Sequence, residues 1–288
     1  MPALTSLDTS AIVRSEVCQT AMKTCLVLFA LGLAIVMPTN AQTATSESGR
    51  EPVVVELFTS EGCSDCPPAD ALLKKMEQQP LAGVDIIPLE EHVDYWNQDG
   101  WIDPFSSMAW TARQRTYVAM VKNGTPYSPE MVVDGQSQFV GSNGRAAQAA
   151  IESAARDPKT EVTISAGKRE GNDSQDFNVS VGKLVGNTAA ADVAEVWIAL
   201  TEDGLQSSVT RGENAGHVLY HAAVLRSLRK IGVASPSGAS TSFSDNPSVK
   251  FNSHWNRAEM RVVIFVQEKK SHKILGAASL KVVPESSG

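Results

Sequence analysis

Apolar residues in the first half of the chain alternate between strand-like runs and one-sided helical stripes. The run Val53–Phe58 (VVVELF) is mostly apolar and rich in valine, which is typical of a strand buried on both faces. A helix is predicted after it, because Leu72, Leu73 and Met76 lie on one stripe of the segment PADALLKKMEQQ. The segment Val84–Val93 (VDIIPLEEHV) predicts the next strand.

The residues that follow predict a loop, two helices and a hairpin. The segment HVDYWNQDGWIDPF is rich in aromatic residues and predicts a long loop. A helix is expected over SSMAWTARQRTYVAMVKNG, with Ser106 or Ser107 as its cap and the closing glycine as its end. Asp134 and Gly135 form a turn pair between two short strands, which predicts a hairpin. An alanine-rich helix, GRAAQAAIESAARD, ends before Pro158.

The pattern changes after Pro158. Short apolar runs, several with alternating polar residues, predict antiparallel strands in five segments: TEVTISAG, DFNVSVGKL, AEVWIALTE, MRVVIFVQE and ILGAASLKVV. The segment GHVLYHAAVLRSLRKIG is compatible with a helix or with a long edge strand. We therefore expect an α/β domain over residues 52–157 and an antiparallel, β-sandwich-like domain over residues 159–285.

The N-terminal residues predict a secretory signal peptide. Lys23 precedes the uncharged apolar run CLVLFALGLAIVM, and Thr39 and Ala41 are small residues before a cleavage site after Ala41. A membrane-spanning helix needs about 20 apolar residues, so this shorter run favours a cleaved signal over an anchor. We expect residues 1–41 to be removed, with Met22 as a candidate start, and residues 42–51 to be a flexible leader. The mature protein would then be periplasmic or secreted, without membrane insertion.

Cysteine content and charge narrow the class of protein. Cys18 and Cys25 lie in the predicted signal region, so only Cys63 and Cys66 would remain after export. The formal net charge is −7, and the charges of the removed segment cancel, so the mature chain stays acidic. An acidic surface argues against nucleic acid or an anionic membrane as the partner.

The segment TSEGCSDCPPAD places Cys63 and Cys66 between a predicted buried strand and a predicted helix. Backbone N–H groups at a helix N-terminus favour a thiolate there. Cys63 would then be the attacking sulfur and Cys66 the resolving sulfur. Glu61 and Asp65 flank Cys63, and their negative charges disfavour a thiolate. A reductase- or isomerase-like potential is therefore expected rather than that of a strong oxidant.

Other interpretations of the cysteine pair remain open. A metal-binding or metallochaperone module would need further ligands, such as His92 with Asp94 or Glu91, because zinc sites usually have four ligands. Alternatively, the pair forms a structural disulfide in a non-catalytic binding protein. His217 and His221, four residues apart, would face one side of a helix and could hold a metal ion, but pairing with nearby carboxylates is the commoner arrangement.

Four segments resemble the secreted, thioredoxin-like proteins of the family called domain of unknown function 1223: VVVELFTSEGCSDCPPAD, HVDYWNQDGWIDPF, ARQRTYV and MVVDGQSQFVGSN. The resemblance covers roughly residues 52–283. It implies a thioredoxin-like domain followed by a β-rich one, and no proven substrate. The wider thioredoxin resemblance implies a cis-proline facing the cysteines, for which Pro129 fits best and Pro126 is the second choice.

The sequence and the resemblance together predict an exported thiol–disulfide oxidoreductase of the reductase or isomerase type. It would act on protein or peptide thiols through a reversible Cys63–Cys66 disulfide, with an unknown redox partner and no bound cofactor or metal. Pro129 would shape the substrate groove, and His92 would assist proton transfer. Aromatic residues of the long loop would contact the substrate: Tyr95, Trp96 and Trp101.

Overall fold

The computed structural model describes residues 43–45, 49–171, 173–185, 192–235 and 240–283. The predicted signal peptide, with its cleavage site after Ala41, lies outside the described residues. Across the described ranges, no helix has both the length and the apolar character needed to cross a membrane.

Fifteen strands, three α-helices and two 3-10 helices make up the regular structure of the described residues. The strands are β1 (Thr43–Thr45), β2 (Glu51–Thr59), β3 (Val84–His92), β4 (Glu130–Val133), β5 (Ser137–Val140), β6 (Val162–Glu170), β7 (Ser174–Gly182), β8 (Ala194–Glu202), β9 (Leu205–Ser208), β10 (Val218–His221), β11 (Val224–Ala234), β12 (Thr241–Asp245), β13 (Ser248–Lys250), β14 (Met260–Glu268) and β15 (Ile274–Lys281). The α-helices are α1 (Pro67–Gln78), α2 (Met108–Val118) and α3 (Gly144–Ala154), and the 3-10 helices span Asn97–Asp99 and Arg257–Glu259.

One mixed sheet of eight strands runs through both halves of the chain, in the order β15-β14-β8-β11-β3-β2-β4-β5. β2 and β3 are parallel, with Thr59 opposite His92 at their C-terminal ends. On its other side β3 pairs in parallel with β11, where Val224 lies opposite Glu90. The predicted fold class, an α/β thioredoxin-like domain followed by an all-β antiparallel sandwich-like domain, is therefore wrong. Among the described residues strands greatly outnumber helices, and strands of both halves share one sheet.

The physical reason lies in the segment GHVLYHAAVLRSLRKIG, whose pattern did not distinguish a helix from an edge strand. It forms β10 and β11, and β11 lies inside the large sheet, between β3 and β8. Periodicity reports which face of a strand is buried, but it does not report which distant strand is its neighbour. The division at Pro158 was inferred from local texture, which carries no information on this pairing.

β2 is buried on both faces, as its sequence predicts. Val55 and Leu57 pack with Leu73 of α1 on one face of the sheet. Phe58, with the opposite orientation, packs against Tyr117 of α2 on the other face, at 6.0 Å between ring centroids. Successive strand residues point to opposite faces, so β2 separates a layer formed by α1 and α3 from the layer formed by α2.

A second sheet packs against strands β8, β14 and β15 of the large sheet. It has the order β1-β6-β7-β12, with β13 also paired to β7, and its pairings are antiparallel. Its apolar side chains, including Ile164 and Phe177, share a buried core with Ile198 of β8 and Ile264 of β14. β9 and β10 form a separate antiparallel pair.

The predicted hairpin is confirmed, and its turn also joins the two halves of the chain. Asp134 and Gly135 have φ values of 46° and 68°, the left-handed region that a two-residue hairpin turn requires. The backbone N–H of Ile274 donates to the carbonyl oxygen of Asp134 at 3.0 Å. A Cβ at Gly135 would lie 1.9 Å from the carbonyl oxygen of His272, in the turn between β14 and β15. Only glycine fits this position.

The helix α2 begins where the sequence predicts and ends earlier. Ser107 is its N-cap, and its side chain accepts a hydrogen bond from the N–H of Ala109. The helix ends at Val118, before the glycine expected to close it, and isolated turns follow.

Candidate functional site

Cys63 and Cys66 lie between the end of β2 and the start of α1, and a disulfide joins them. Cys66 is the N-cap residue of α1, and Pro67 begins the helix. The two cysteines are only 1% and 0% exposed. The sulfur atoms therefore lie at a helix N-terminus, where a thiolate is favoured, but they are shielded from solvent.

Two predicted site residues lie beside the disulfide. The peptide bond between Ser128 and Pro129 is cis, at the proline for which the resemblance predicts it, and the carbonyl oxygen of Ser128 is 3.7 Å from Cys63 Sγ. Trp96 Nε1 donates to Ser128 Oγ at 2.7 Å. The residues between β2 and α1, which include Cys63 and Cys66, are called the cysteine-bearing turn below. A Cβ at Gly62 would lie 2.9 Å from Trp96 Cβ, so Trp96 packs directly on this turn.

A loop from the second half of the chain covers this turn. We call residues 209–217, which connect β9 and β10, the covering loop. Its Asn214 is buried and donates through Nδ2 to the carbonyl oxygens of Glu61 and Cys63, both at 2.9 Å. These two bonds attach the covering loop to the backbone on either side of Gly62.

Further contacts hold the covering loop in place. Glu213 accepts hydrogen bonds from the N–H and the hydroxyl of Ser64, at 3.0 and 2.7 Å. Gly212 has a φ of 76°, and a Cβ there would lie 3.3 Å from Trp101 Cβ. The cysteine-bearing turn is thus enclosed by the covering loop and by the aromatic-rich segment HVDYWNQDGWIDPF, which we call the aromatic loop.

A continuous set of buried titratable side chains adjoins the turn. Glu90 and His92 are alternate residues of β3 and therefore point to the same face, and His221 ends β10. Glu90 Oε1 lies 3.1 Å from His92 Nε2 and 2.7 Å from His221 Nδ1. The remaining ring nitrogens also meet carboxylates, because His92 Nδ1 is 2.7 Å from Asp103 and His221 Nε2 is 3.1 Å from Glu61. We call these five residues the polar cluster.

Donors from neighbouring elements fix the carboxylates of the polar cluster. Trp101 Nε1 donates to Glu61 at 2.7 Å, and the Glu61 N–H donates to Asp103 at 2.8 Å. The second oxygen of Glu90 accepts from the N–H of Ala222 at 2.9 Å. The cluster is therefore positioned by β3, the aromatic loop and the end of β10 together.

Mutual attraction determines the charges of the polar cluster. Burial alone would lower the pKa of His92, but Asp103 and Glu90 outweigh it and hold that pKa well above its ordinary value. Burial likewise opposes the charge on His221, and Glu90 and Glu61 nevertheless raise its pKa to about 9. For Glu90, burial raises the pKa, but the two histidines dominate and bring it to about 2. The geometry thus favours charged imidazoles beside the charged carboxylates of Glu90 and Asp103.

A buried aspartate follows Cys66 by one helical turn. Asp70 lies on α1 and is fully desolvated, and its Oδ1 accepts a hydrogen bond from Thr59 Oγ1 at 2.7 Å. Burial and the negative charge of Glu90 raise the pKa of Asp70 to about 7. This carboxyl can therefore gain or lose a proton close to neutral pH.

A second buried charge network lies on the opposite face of the sheet. Arg113 of α2 places Nε 2.5 Å from Glu56 and 3.4 Å from Glu91, and Tyr117 donates its hydroxyl to Glu56 at 2.6 Å. Burial and the neighbouring Glu56 raise the pKa of Glu91 well above its ordinary value. The guanidinium of Arg113 thus lies close to two buried carboxyl groups, those of Glu56 and Glu91.

Within the described ranges, one group of histidine, cysteine and acidic side chains is compact enough to hold a metal ion. It consists of Glu90, His92 and His221, whose ligand atoms lie within 4.8 Å of one another. The group includes neither Cys63 nor Cys66, so the structure does not form the Cys–His92 combination considered from the sequence.

The structure brings some of the predicted site residues together and separates others. Cys63, Pro129 and Trp96 are adjacent, and Trp101 reaches the turn through Glu61. His92 is fully buried, so it does not line an open groove. Tyr95 packs against the apolar residues near α2. His217 and His221 do not share a helix face, because His217 lies in the covering loop and His221 at the end of β10.

Sequence reasoning missed most of the polar cluster as a unit. Glu90 and His92 carried one available signal, since they are charged or titratable residues in the mostly buried strand β3 and alternate positions of a strand share one face. Asn214 and His221 had no comparable local signal. Both residues precede β11 in the chain, and they lie near the cysteine-bearing turn because β11 pairs with β3.

The fold and site define a class: a mixed eight-stranded sheet with a buried CxxC disulfide at a helix N-terminus and an adjoining His–carboxylate cluster. Over residues 54–267 the sequence matches the family described as protein of unknown function (DUF1223), and the chain belongs to that family. No curated protein sequence matches the chain significantly.

Two solved structures share the overall fold. A crystal structure of a structural-genomics target protein from Agrobacterium tumefaciens is 24% identical, with a TM-score of 0.55, and the match covers 83% of this chain and 98% of that one. HBP35 of Porphyromonas gingivalis is 13% identical, with a TM-score of 0.57, and the match covers 83% and 81% of the two chains. At these identities the likeness shows the fold alone.

Proposed function

We propose that this protein performs thiol–disulfide exchange with protein or peptide thiols after export from the cytoplasm. The observation that carries the proposal is the Cys63–Cys66 disulfide at the N-terminus of α1, with the Ser128 carbonyl oxygen against Cys63 Sγ. A disulfide persists in an oxidising compartment, which agrees with the predicted signal peptide and with a periplasmic or secreted location.

The exchange follows from the positions of the two sulfur atoms. A substrate thiolate attacks Cys63, forming a mixed disulfide and breaking the Cys63–Cys66 bond, and Cys66 leaves as a thiolate at the helix N-terminus. A second substrate thiolate then attacks the substrate sulfur of the mixed disulfide, which releases the Cys63 thiolate and leaves the substrate oxidised to a disulfide. In the reducing direction the Cys63 thiolate attacks a substrate disulfide and displaces one substrate thiolate, and Cys66 then attacks Cys63, displaces the second substrate thiolate and re-forms the Cys63–Cys66 bond. A redox partner with its own dithiol or disulfide supplies or removes the two electrons of each cycle.

Burial of both sulfur atoms adds a requirement. An attacking thiolate reaches Cys63 only when the covering loop or the aromatic loop moves aside. The contacts of the covering loop with the cysteine-bearing turn include the hydrogen bonds of Asn214 and Glu213, and water can replace these on opening. We therefore propose that the covering loop gates the exchange.

The reduction potential of the Cys63–Cys66 couple tests the proposal. The protein is equilibrated in graded glutathione buffers, and its free thiols are counted by alkylation and mass spectrometry. A value of about −270 to −180 mV, the range of known exchange enzymes, supports the proposal. The Cys66→Ala variant should then trap mixed disulfides through Cys63, while the matched control Cys63→Ala should trap none.

The burial of the disulfide favours a second candidate, a non-catalytic binding protein in which the disulfide is structural. This candidate predicts a potential below about −300 mV and no trapped species with Cys66→Ala. That pair of results would refute thiol–disulfide exchange as the function.

A further inference from the structure

We propose that Glu90, His92 and His221 form a binding site for one Zn²⁺ ion, separate from the Cys63–Cys66 pair. The three side chains are completely or almost completely buried. They present two imidazole nitrogens and a carboxylate oxygen to one another. This ligand set, two histidines and a glutamate, is one that zinc uses in catalytic sites.

The distances between the ligand atoms are close to those of a zinc site. Zinc binds nitrogen and oxygen at about 2.0–2.2 Å, so neighbouring ligand atoms in a tetrahedron lie about 3.3 Å apart. Glu90 Oε1 is 3.1 Å from His92 Nε2 and 2.7 Å from His221 Nδ1. These two edges would lengthen by about 0.2 and 0.6 Å around an ion, and all three ligand atoms lie within 4.8 Å of one another.

The outward nitrogens carry the support that metal-binding histidines require. Such a histidine usually donates its other ring N–H to a carboxylate or a carbonyl group, which fixes the tautomer and the ring orientation. His92 meets Asp103 in this way at 2.7 Å, and His221 meets Glu61 at 3.1 Å. A hydrogen-bonded core histidine needs only one such partner, whereas both rings here have a carboxylate at each nitrogen.

Charge balance also permits the ion. Three carboxylates of the polar cluster, from Glu61, Glu90 and Asp103, surround the two imidazoles and place negative charge around the position of a divalent cation. Three protein ligands also leave a fourth position for water or a small ligand, as in catalytic zinc sites.

The test uses the complete protein with its disulfide oxidised, stripped with a chelator and dialysed. It is titrated with Zn²⁺ by calorimetry, and bound zinc is counted after gel filtration. We expect one ion per chain, release of protons on binding, and a higher melting temperature with zinc. His221→Gln and Glu90→Gln should weaken binding by more than the about 10- to 100-fold expected for the supporting change Asp103→Asn.

Two matched controls separate this site from the alternatives. His217→Gln changes a histidine of the covering loop outside the group and should retain wild-type affinity. The double variant Cys63→Ser/Cys66→Ser should also retain the ion, which distinguishes this site from a cysteine site.

If a ligand variant fails to fold, Co²⁺ bound to the wild-type protein gives an independent result. Its spectrum should show nitrogen and oxygen ligands and no sulfur-to-metal band. The proposal is overturned if the wild-type protein retains no zinc, or if zinc binding is lost in either control variant.

Discussion

The substitution Asn214→Ala tests whether the covering loop controls access to the disulfide. It removes the two hydrogen bonds to the carbonyl oxygens of Glu61 and Cys63, both at 2.9 Å. Each such bond contributes about 0.5–1.5 kcal/mol net, so the closed loop should lose about 1–3 kcal/mol relative to the open loop. The equilibrium constant for opening should then rise about 5- to 150-fold.

The assay is the rate at which dithiothreitol reduces the Cys63–Cys66 disulfide under native conditions. When opening and closing are fast, the observed rate is the product of the opening constant and the chemical rate. We therefore expect a rise of the same 5- to 150-fold, linear in reductant concentration. Glu213→Gln is the matched control in the same loop, since the amide oxygen can still accept the hydrogen bonds of the Ser64 N–H and hydroxyl, and it should alter the rate by less than about twofold.

The reasoning is refuted if Asn214→Ala reduces no faster than Glu213→Gln. It is refuted equally if the increase merely follows a fall in the free energy of global unfolding. Urea unfolding of each variant supplies that second comparison.

Three further predictions concern buried charge and the joint between the halves. Because the pKa of Asp70 is raised from 3.8 to about 7, the unfolding free energy of the wild type should fall as pH rises between these values, by up to about 4 kcal/mol. Asp70→Asn should remove that part of the fall in urea unfolding measured from pH 4 to 8. Glu91→Gln should raise the unfolding free energy at pH 7 by about 1–3 kcal/mol, because a desolvated carboxylate is replaced by an amide that can donate to Glu56. Gly135→Ala should destabilise by at least about 2 kcal/mol more than Gly204→Ala. Both glycines have positive φ, but an added Cβ at position 204 meets nothing within 4 Å, while the one at 135 strikes a carbonyl oxygen.

Contrary outcomes of these measurements are equally specific. A pH-independent difference between Asp70→Asn and the wild type would mean that Asp70 is charged in the folded protein throughout. A less stable Glu91→Gln would mean that Arg113 fully neutralises both glutamates. Equal effects of the two glycine substitutions would mean that the hairpin turn does not contact the turn between β14 and β15.

The sequence pattern predicted strands, helix caps and turns correctly where they depend on residues close together in the sequence. The valine-rich run of β2, the cap of α2 at Ser107 and the turn at Asp134 and Gly135 each depend on a few neighbouring residues. The cysteine-bearing turn was recognised for the same reason. The shared sheet was not predictable in this way, since the pairing of Val224 with Glu90 joins positions far apart in the sequence.

The residues of the candidate site also fall into two groups, those predictable from nearby sequence and those brought together only by the tertiary fold. Cys63, Cys66 and Pro129 were identified from residues close to them in the sequence and from the family resemblance. The polar cluster combines residues from β3, the aromatic loop and β10, so its composition follows from the tertiary fold. A polar residue in a buried strand, such as Glu90, indicates that a partner must exist, but it does not say where along the chain that partner lies.

The position of β11 beside β3 has a consequence for how the chain reaches its folded state. A fragment that ends at residue 157 would lack the partner of Glu90 on the outer side of β3, and unpaired N–H and C=O groups at a strand edge can template aggregation. During synthesis, Glu90 has no partner on that side until Val224 and its neighbours have emerged. Pairing over so long a separation is slow. The two halves of the chain therefore become joined in one sheet only after β11 has been made.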